Sequence, residues 1–500
     1  MQRRIPAKVT LFVAVALIAA GCLGDPRAKT DAPPTGPAAR TPATATTPPG
    51  TFTGIPATNP PATSGGTSGP GSTPAPTDPP GPTTPPVEPT LPPYTPPPLS
   101  GKLTVWTFAQ GEDEVPIKAY LKEFQARYPD VDTKLVVIPE DNYTAKVNTS
   151  LQAHNPPDIA IIEDMRWAKS GRVVELTPWL QAWGVPIEDF SPGGIGRMAL
   201  EADPAKGVYG IGDFLGGYVS VYNKALYTAA GVPEPPADRS LSYDEFAANC
   251  RAIGKPASDP AQALYGCAAQ DNLYSLRAAD VFGADGRTIV GNGNADAMVH
   301  AFEVGSSLIS DGMAPSGTAL DALGGDGESD LFAQGKIAVT GTDFTEVNKY
   351  KANGVDFAIV PFYAVYPEKG PLLDTFTAPW GTFTKSSNPD AALEFLRFIA
   401  TDAQRIRPTI TPDPPLRISI AQEVGYGADD PIKQQYLKLL GFAQAQVFVP
   451  NGVEAWDPGE VVRQMTVEHK TDARAILDPM VQDAQREVDR VWRDWEELAP

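Results

Sequence analysis

The sequence contains little of what metal sites and membrane spans are built from. It has three cysteines and three histidines among 500 residues, and the histidines (His154, His300 and His469) lie far apart. A zinc cage takes about four such ligands held together, so we expect no metal centre. No stretch reaches ~18 uninterrupted apolar residues, the length from which a membrane-spanning helix is predicted.

Motifs of the common enzyme classes are also missing. The chain has no G-x-S-x-G nucleophile elbow, no H-E-x-x-H and no G-x-x-x-x-G-K-[ST] phosphate loop. Acidic clusters at 112–114 and 326–330 lack the ligand spacing of a calcium-binding loop. They are interpreted as solvated acidic faces. The sequence therefore favours a binding protein that carries out no reaction and holds no cofactor.

Charge and composition divide the chain unevenly. The net charge is −20, and residues 1–100 carry +2, so residues 101–500 carry −22. A surface this acidic repels phosphate backbones and argues against nucleic-acid binding. Of the 54 prolines, 24 lie between Cys22 and Ser100 among Thr, Ser, Gly and Ala. Such a stretch buries too little apolar surface to fold, so we expect residues 23–100 to form a disordered tether.

The first residues have the pattern of an export signal. Arg3, Arg4 and Lys8 precede the apolar run Val9–Ala20, which is too short to span a bilayer of ~30 Å as a helix. The run ends in Ala-Ala-Gly-Cys22, which resembles the lipobox of bacterial lipoproteins. The resemblance implies a signal peptide over 1–22, lipidation of Cys22 and anchoring at the extracellular face of the cell membrane. An ordinary secretory signal is the alternative.

The remaining cysteines, Cys250 and Cys267, then form an even pair. A disulfide across this interval is worth ~3 kcal/mol in the chain-entropy model and suits an oxidising exterior. Two separate buried thiols are the alternative.

Element patterns in the remaining 400 residues predict an α/β fold. Strands are predicted over 102–108, 133–138 and 158–162, with helices over 116–128 and 143–153 between them. Alternation of strand and helix indicates parallel pairing. A second series begins with a strand at 218–222. Ser242 and Glu245 form the pattern of a capping box, and 483–498 is predicted as the closing helix.

Several segments, in order along the chain, resemble the extracellular solute-binding proteins of ATP-driven sugar importers, the relatives of maltose-binding protein. The matching segments are Asn155-Pro-Pro-Asp-Ile159, Tyr209-Gly-Ile-Gly212, Tyr218-Val-Ser-Val-Tyr-Asn-Lys224, Leu331-Phe-Ala-Gln-Gly-Lys-Ile-Ala338, Ser386-Ser-Asn-Pro389 and Val449-Pro-Asn451 with Trp456. Together they extend over essentially the whole folded part.

This resemblance implies the two-lobed periplasmic-binding-protein-like fold of type II, with a mixed sheet flanked by helices in each lobe. Three hinge crossings would join lobe one (101–210 and 382–446) to lobe two (211–381 and 447–500). It further implies a monomer that captures a sugar or oligosaccharide by cleft closure and delivers it to the transmembrane subunits of an ABC permease. A surface sensor or co-receptor, and a polar non-sugar solute, are the alternatives.

Candidate ligand-binding residues are aromatic, charged and amide side chains on loops at strand ends and crossings. They are Trp106, Phe108, Gln110, Glu163, Asp164, Arg166, Trp167, Asp213, Tyr218, Asp343, Trp380, Arg417 and Trp456. We expect Trp167 and Trp380 to face a solute from opposite walls. Two departures from the family pattern leave room for a polar or cationic solute: Asp343 replaces a stacking tryptophan, and Gly216-Gly217 replaces Asp-Thr.

Overall fold

The structure is a computed structural model that describes residues 94–269, 276, 278–323, 327–443 and 447–499. The predicted signal peptide, the lipidation site Cys22 and the tether as far as residue 93 lie outside these residues. Within the described ranges, no helix combines the length and apolar character needed to cross a bilayer.

Lobe one is built on a four-stranded sheet in the order β2-β1-β3-β8. Its strands are β1 (Gly101–Thr107), β2 (Val131–Val137), β3 (Ile159–Ile161) and β8 (Trp380–Gly381). β1 pairs in parallel with both β2 and β3, and β8 pairs antiparallel with β3. The parallel pairing expected from the strand–helix alternation is confirmed, and the sheet is mixed.

The helices of lobe one cover this sheet and enclose one hydrophobic core around Val105, Phe124 and Phe395. They are Glu114–Arg127, Glu140–Gln152, Met165–Lys169, Thr177–Ala182, Pro192–Met198, Pro389–Phe398, Gln404–Ile406 and Ile418–Glu423.

Asp158 fixes the amino end of the sheet. Its carboxylate accepts hydrogen bonds from the amide and hydroxyl of Thr104, both at 2.8 Å, and from the 386–388 turn at 2.8–3.1 Å. These bonds outweigh the effect of burial and lower the pKa of Asp158. The Pro-Asp step is therefore a structural anchor between β1, β3 and the turn before helix Pro389–Phe398.

Lobe two contains the sheet β5-β4-β6, with β7 paired to β4 beside β6. Its strands are β4 (Gly216–Asn223), β5 (Val339–Asp343), β6 (Phe357–Val360) and β7 (Asp374–Phe376), and all of these pairings are antiparallel. A parallel bridge joins Tyr265 to Ile337 alongside them. Alternation along β4 buries Val219 and Val221 on one face and Tyr222 on the other, so the sheet has a core on both sides.

The described helices of this lobe pack on both faces of the sheet. They are Lys224–Ala230, Tyr243–Ile253, Ala278–Phe282, Asp296–Ser310, Gly317–Leu323, Glu328–Ala333, Val347–Ala352, Pro431–Leu440, Pro458–Thr466 and Ala473–Glu497. The predicted capping box of Ser242 and Glu245 is confirmed. A disulfide joins Cys250 to Cys267, as the cysteine pairing predicted.

Three boundaries differ from the sequence-based expectation. Helix Pro431–Leu440, assigned to lobe one, buries Tyr436 in the core of lobe two, where its ring stacks 3.7 Å from that of Phe344. Tyr94, assigned to the tether, contacts Trp183 edge-on at 6.3 Å. The closing helix begins at Ala473 rather than 483, because Asp472 caps it and Pro479 is accommodated inside it.

A buried ionic network lies where the chain first crosses between the lobes. Asp213, 1% exposed, accepts hydrogen bonds from the hydroxyl of Tyr120 at 2.6 Å and the indole of Trp380 at 3.1 Å. The Arg407 guanidinium lies 3.3 Å from Asp213 and 3.1 Å from Asp413, which is fully buried. Because each buried charge has an opposite partner, the network holds the crossing segments together. We call these five residues, Tyr120, Asp213, Trp380, Arg407 and Asp413, the hinge network.

Candidate functional site

Each of the three parallel strands of lobe one leads into a loop or helix start that carries a carboxylate. Asp113 follows β1, Glu140 begins the helix after β2, and Glu163 comes directly after β3. The carboxyl ends of parallel strands meet at one edge of a sheet, which is where ligands bind in open α/β sheets. Asp113 and Glu140 are exposed and Glu163 is half-buried. This edge forms an acidic wall.

Lobe two presents a second wall at the start of β4. Tyr218 pairs with Asp343 on β5 and with Asp374 on β7. Residues directly opposite one another in antiparallel strands project to the same face, so the three side chains form one row. All three are half-buried.

Gly216 and Gly217 make this row possible. A side chain on Gly216 would meet the Phe376 ring at 2.6 Å, and one on Gly217 would meet the Tyr436 hydroxyl at 2.7 Å and the Asp374 carbonyl at 2.9 Å. All three distances are too short for a real Cβ. The glycine pair therefore lets β7 and helix Pro431–Leu440 approach β4 closely, which places Asp374 beside Tyr218.

Charges link the two walls. Burial raises the pKa of Tyr218 in lobe two, and Glu140 of lobe one adds to this effect. Burial likewise raises the pKa of Asp343, and Asp113 of lobe one adds to it. Arg197, on the short helix Pro192–Met198, lowers the pKa values of Tyr218, Asp374 and Glu163 against the larger effect of burial. The carboxylates of both lobes therefore lie within electrostatic range of one another and of one guanidinium. We call this arrangement the acidic cleft.

Burial among these charges shifts the titration of the cleft carboxyls. The pKa of Glu163 is raised from 4.5 to about 7 by burial and by Glu140 and Asp164, against Arg197. The pKa of Asp343 is raised from 3.8 to about 7 by burial, Asp413 and Asp113. Burial also raises the pKa of Asp374 from 3.8 to about 6. Near neutral pH these carboxyls exchange protons and serve as hydrogen-bond donors or acceptors.

Of the thirteen sequence-predicted binding residues, the structure brings Glu163, Tyr218 and Asp343 together in the acidic cleft. Three of the four tryptophan candidates are buried elsewhere. Trp167, Trp380 and Trp456 are 3%, 2% and 3% exposed, and Trp167 and Trp380 share the core of lobe one. In contrast to the expectation from the sequence, these two rings do not face one another across the lobes, because each indole packs inside the same core.

The charged candidates outside the cleft are held by structural partners. Asp164 is buried, forms a bidentate pair with Arg166 and caps the helix Met165–Lys169. Arg417 donates to Asp189 at 2.7 Å. These side chains, like Asp213 in the hinge network, therefore stabilise the fold through contacts with other residues of the protein.

The candidate side chains at the end of β1 and just after it are more exposed to solvent than the three buried tryptophans. Trp106 is half-buried, with the Lys146 ammonium 5.8 Å from its ring centre. Phe108 is half-buried and meets Tyr143 edge-on at 5.2 Å. Gln110 is exposed just before a short turn. These three residues remain candidates for the rim of the cleft.

Sequence reasoning missed Arg197, Asp374, Glu140 and Asp113 as members of the cleft. Glu140 and Asp113 follow strands and meet the same criterion that selected Glu163. Arg197 and Asp374 gave no comparable signal, because one lies on a short helix and the other on a three-residue strand.

No described group of three or more His, Cys, Asp or Glu side chains is arranged to hold a metal ion.

The family model of the bacterial extracellular solute-binding proteins matches residues 109–406. The chain belongs to this family. The match includes both walls of the acidic cleft and Tyr120, Asp213 and Trp380 of the hinge network, whereas Arg407 and Asp413 lie just beyond it. Among curated protein sequences, none matches the chain significantly.

Solved structures share the fold at low sequence identity. A substrate-binding protein of Listeria monocytogenes, in complex with cycloalternan, is 19% identical with a TM-score of 0.55, over 79% of this chain and 99% of that one. The GacH receptor of Streptomyces glaucescens, solved with acarbose, is 17% identical with a TM-score of 0.56, over 80% and 100%. The maltotriose-binding protein of Thermus thermophilus is 16% identical with a TM-score of 0.56, over 77% and 99%. These likenesses establish the two-lobed fold.

Proposed function

We propose that this protein captures a sugar or oligosaccharide in the acidic cleft and delivers it to the transmembrane subunits of an ABC permease. The observation that carries the proposal is the position of the cleft. Carboxylates after three parallel strands of lobe one lie within electrostatic range of the Asp343–Tyr218–Asp374 row of lobe two.

The chemistry of these groups suits a polyhydroxylated solute. Carboxylates accept hydrogen bonds from hydroxyl groups, and the half-buried Tyr218 offers both a phenol hydroxyl and an aromatic face. The proteins named above were solved with cycloalternan, acarbose or maltotriose, which supports the sugar class. Hinge-type closure of the two lobes would bring both walls onto one solute, and the closed form would be the one that the permease recognises.

We further propose that the protein acts as a monomer anchored through Cys22, with residues 23–100 as a spacer between the lipid and the lobes. The permease subunits and the membrane are its expected partners. We expect solute binding without chemical turnover, because the family is one of substrate-binding transport proteins.

A thermal-shift screen of sugars, polyols and oligosaccharides against the full-length protein in detergent tests this function. We expect at least one sugar to raise the melting temperature in a saturable manner and to be recovered unchanged. If no sugar in a broad panel stabilises the protein, or if the solute is recovered chemically altered, the proposal fails.

A further inference from the structure

The described residues of the acidic cleft carry more negative than positive charge. Its carboxylates are Asp113, Glu140, Glu163, Asp343 and Asp374, and the cation that acts on both walls is Arg197. Resting on the proposed function, we propose that the solute carries a protonated amine, which binds beside Tyr218 between Asp343 and Asp374. The ligand class is therefore an amino sugar or an amino-oligosaccharide.

The geometry of the row supports one amine position. Asp343 and Asp374 lie on strands that flank β4 on opposite sides, with Tyr218 between them. Neighbouring strands are about 4.8 Å apart, so the two backbones are separated by roughly 9–10 Å. Two carboxylates on one face at this separation can approach a single ammonium group from both sides, over the phenol ring.

The buried Asp413 lies within electrostatic range of Asp343 in the row. Asp413 is fully buried, and its Oδ2 atom is bound by Arg407 and Thr411. Its Oδ1 atom is buried without a hydrogen-bond partner within the described residues. After burial, the charge of Asp413 is the largest contribution that raises the pKa of Asp343.

Binding of an amine should change the protonation of Asp343 and Asp374, and this change can be measured. The charge of Arg197 acts on Asp374, and the charges of Asp413 and Asp113 act on Asp343, which also accepts hydrogen bonds from Thr345. Because burial raises the pKa of Asp343 to about 7 and that of Asp374 to about 6, an incoming cation favours their ionised forms. Amine binding should therefore release protons and should tighten as pH rises from 5 to 7, where the amine itself stays largely protonated.

Isothermal titration of the full-length protein in detergent with two matched pairs of probes tests the proposal. The pairs are glucosamine with N-acetylglucosamine, and the trimer of glucosamine with its fully N-acetylated form. We expect each amine to bind at least tenfold more tightly than its acetylated partner at pH 7. This preference should shrink at pH 5 and at high salt.

The variant Asp374→Asn should abolish the preference for the amine. Asn is similar in shape to the neutral carboxyl that burial already favours, so folding is not expected to suffer. Asp132→Asn is the matched control, because Asp132 is an exposed acid at the amino end of β2, at the opposite end of the strand from Glu140. It should retain the full preference.

The outcomes separate this inference from the proposed function. Equal binding of amine and acetylated probes would overturn the amine assignment and leave sugar capture intact. Stabilisation by neutral sugars without binding of either amine would do the same. An amine preference that survives Asp374→Asn would overturn the proposed position. If neither pair binds and the sugar panel fails as well, both proposals fall.

Discussion

Replacing Glu163 by glutamine removes a carboxyl group whose ionised form is disfavoured by burial in the cleft. The pKa of this carboxyl is raised from 4.5 to about 7, chiefly by burial, with Arg197 opposing the shift. In the native state it therefore keeps its proton to higher pH than in the unfolded chain. Its contribution to stability is fully present below pH 4.5 and is lost as pH rises through about 7.

The magnitude follows from the size of the shift. At about 1.4 kcal/mol per pKa unit, raising the pKa from 4.5 to about 7 corresponds to roughly 3 kcal/mol at pH 8. Because part of the side chain reaches solvent, we expect Glu163→Gln to raise the free energy of unfolding at pH 8 by about 1–3 kcal/mol. At pH 4.5 the variant should match the wild type.

Urea unfolding at pH 4.5, 6 and 8, followed by circular dichroism, measures this difference. Asp158→Asn provides a control of opposite sign, because hydrogen bonds from Thr104 and the 386–388 turn lower the pKa of Asp158. That variant should lose stability at pH 8. If Glu163→Gln is no more stable than the wild type at pH 8, the carboxyl is not disfavoured by its surroundings, and the account of the cleft electrostatics is refuted.

Three further outcomes are expected. Cys22→Ser should release the protein from the membrane fraction into the medium, and retention of the variant in membranes would contradict lipidation. Mass analysis of non-reduced peptides should show Cys250 linked to Cys267. Reduction of this disulfide should lower the free energy of unfolding by ~3 kcal/mol in denaturant titrations. Two freely alkylated thiols in the native protein would exclude the bridge. Asp213→Asn should destabilise the protein by about 3–5 kcal/mol, because it leaves the buried guanidinium beside it with one anionic partner fewer. Trp380→Phe removes one neutral donor to Asp213 and should cost less, about 1–3 kcal/mol; equal unfolding midpoints for the wild type and both variants would contradict the hinge network.

The fold was largely predictable because its signals are local and periodic. Strand–helix alternation from 101 to 161 gave the parallel pairing of lobe one, and the Ser242–Glu245 spacing gave a helix start. The sequence-based division assigned helix Pro431–Leu440 to the wrong lobe, because the helix lies within the segment 382–446 that was given to lobe one as a whole. Its membership of lobe two depends on the contact between Tyr436 and Phe344, and distant packing of this kind leaves no local pattern.

The sequence selected candidate site residues where chain position or the family pattern singled them out. Glu163 follows a parallel strand, and Asp343 stands where the family pattern has a stacking tryptophan. The tryptophans were misjudged because residue type does not reveal whether an indole has a buried partner. Trp380 donates to Asp213 and Trp167 donates to Asn148, so both have partners inside the fold. The position of Asp374 beside Tyr218 depends on the close approach of β7 to β4, which Gly216 and Gly217 allow.

We expect one solute to contact carboxylates of both lobes at the same time. Isothermal titration can test this with the sugar that gives the largest thermal shift, titrated into Glu163→Gln, which changes lobe one, and into Asp374→Asn, which changes lobe two. Each variant should bind at least tenfold more weakly than the wild type, the scale of losing one charge-assisted hydrogen bond, whereas Asp132→Asn should bind as the wild type does. Wild-type affinity in either cleft variant would show that its wall does not contact the solute, and would contradict capture between the two lobes.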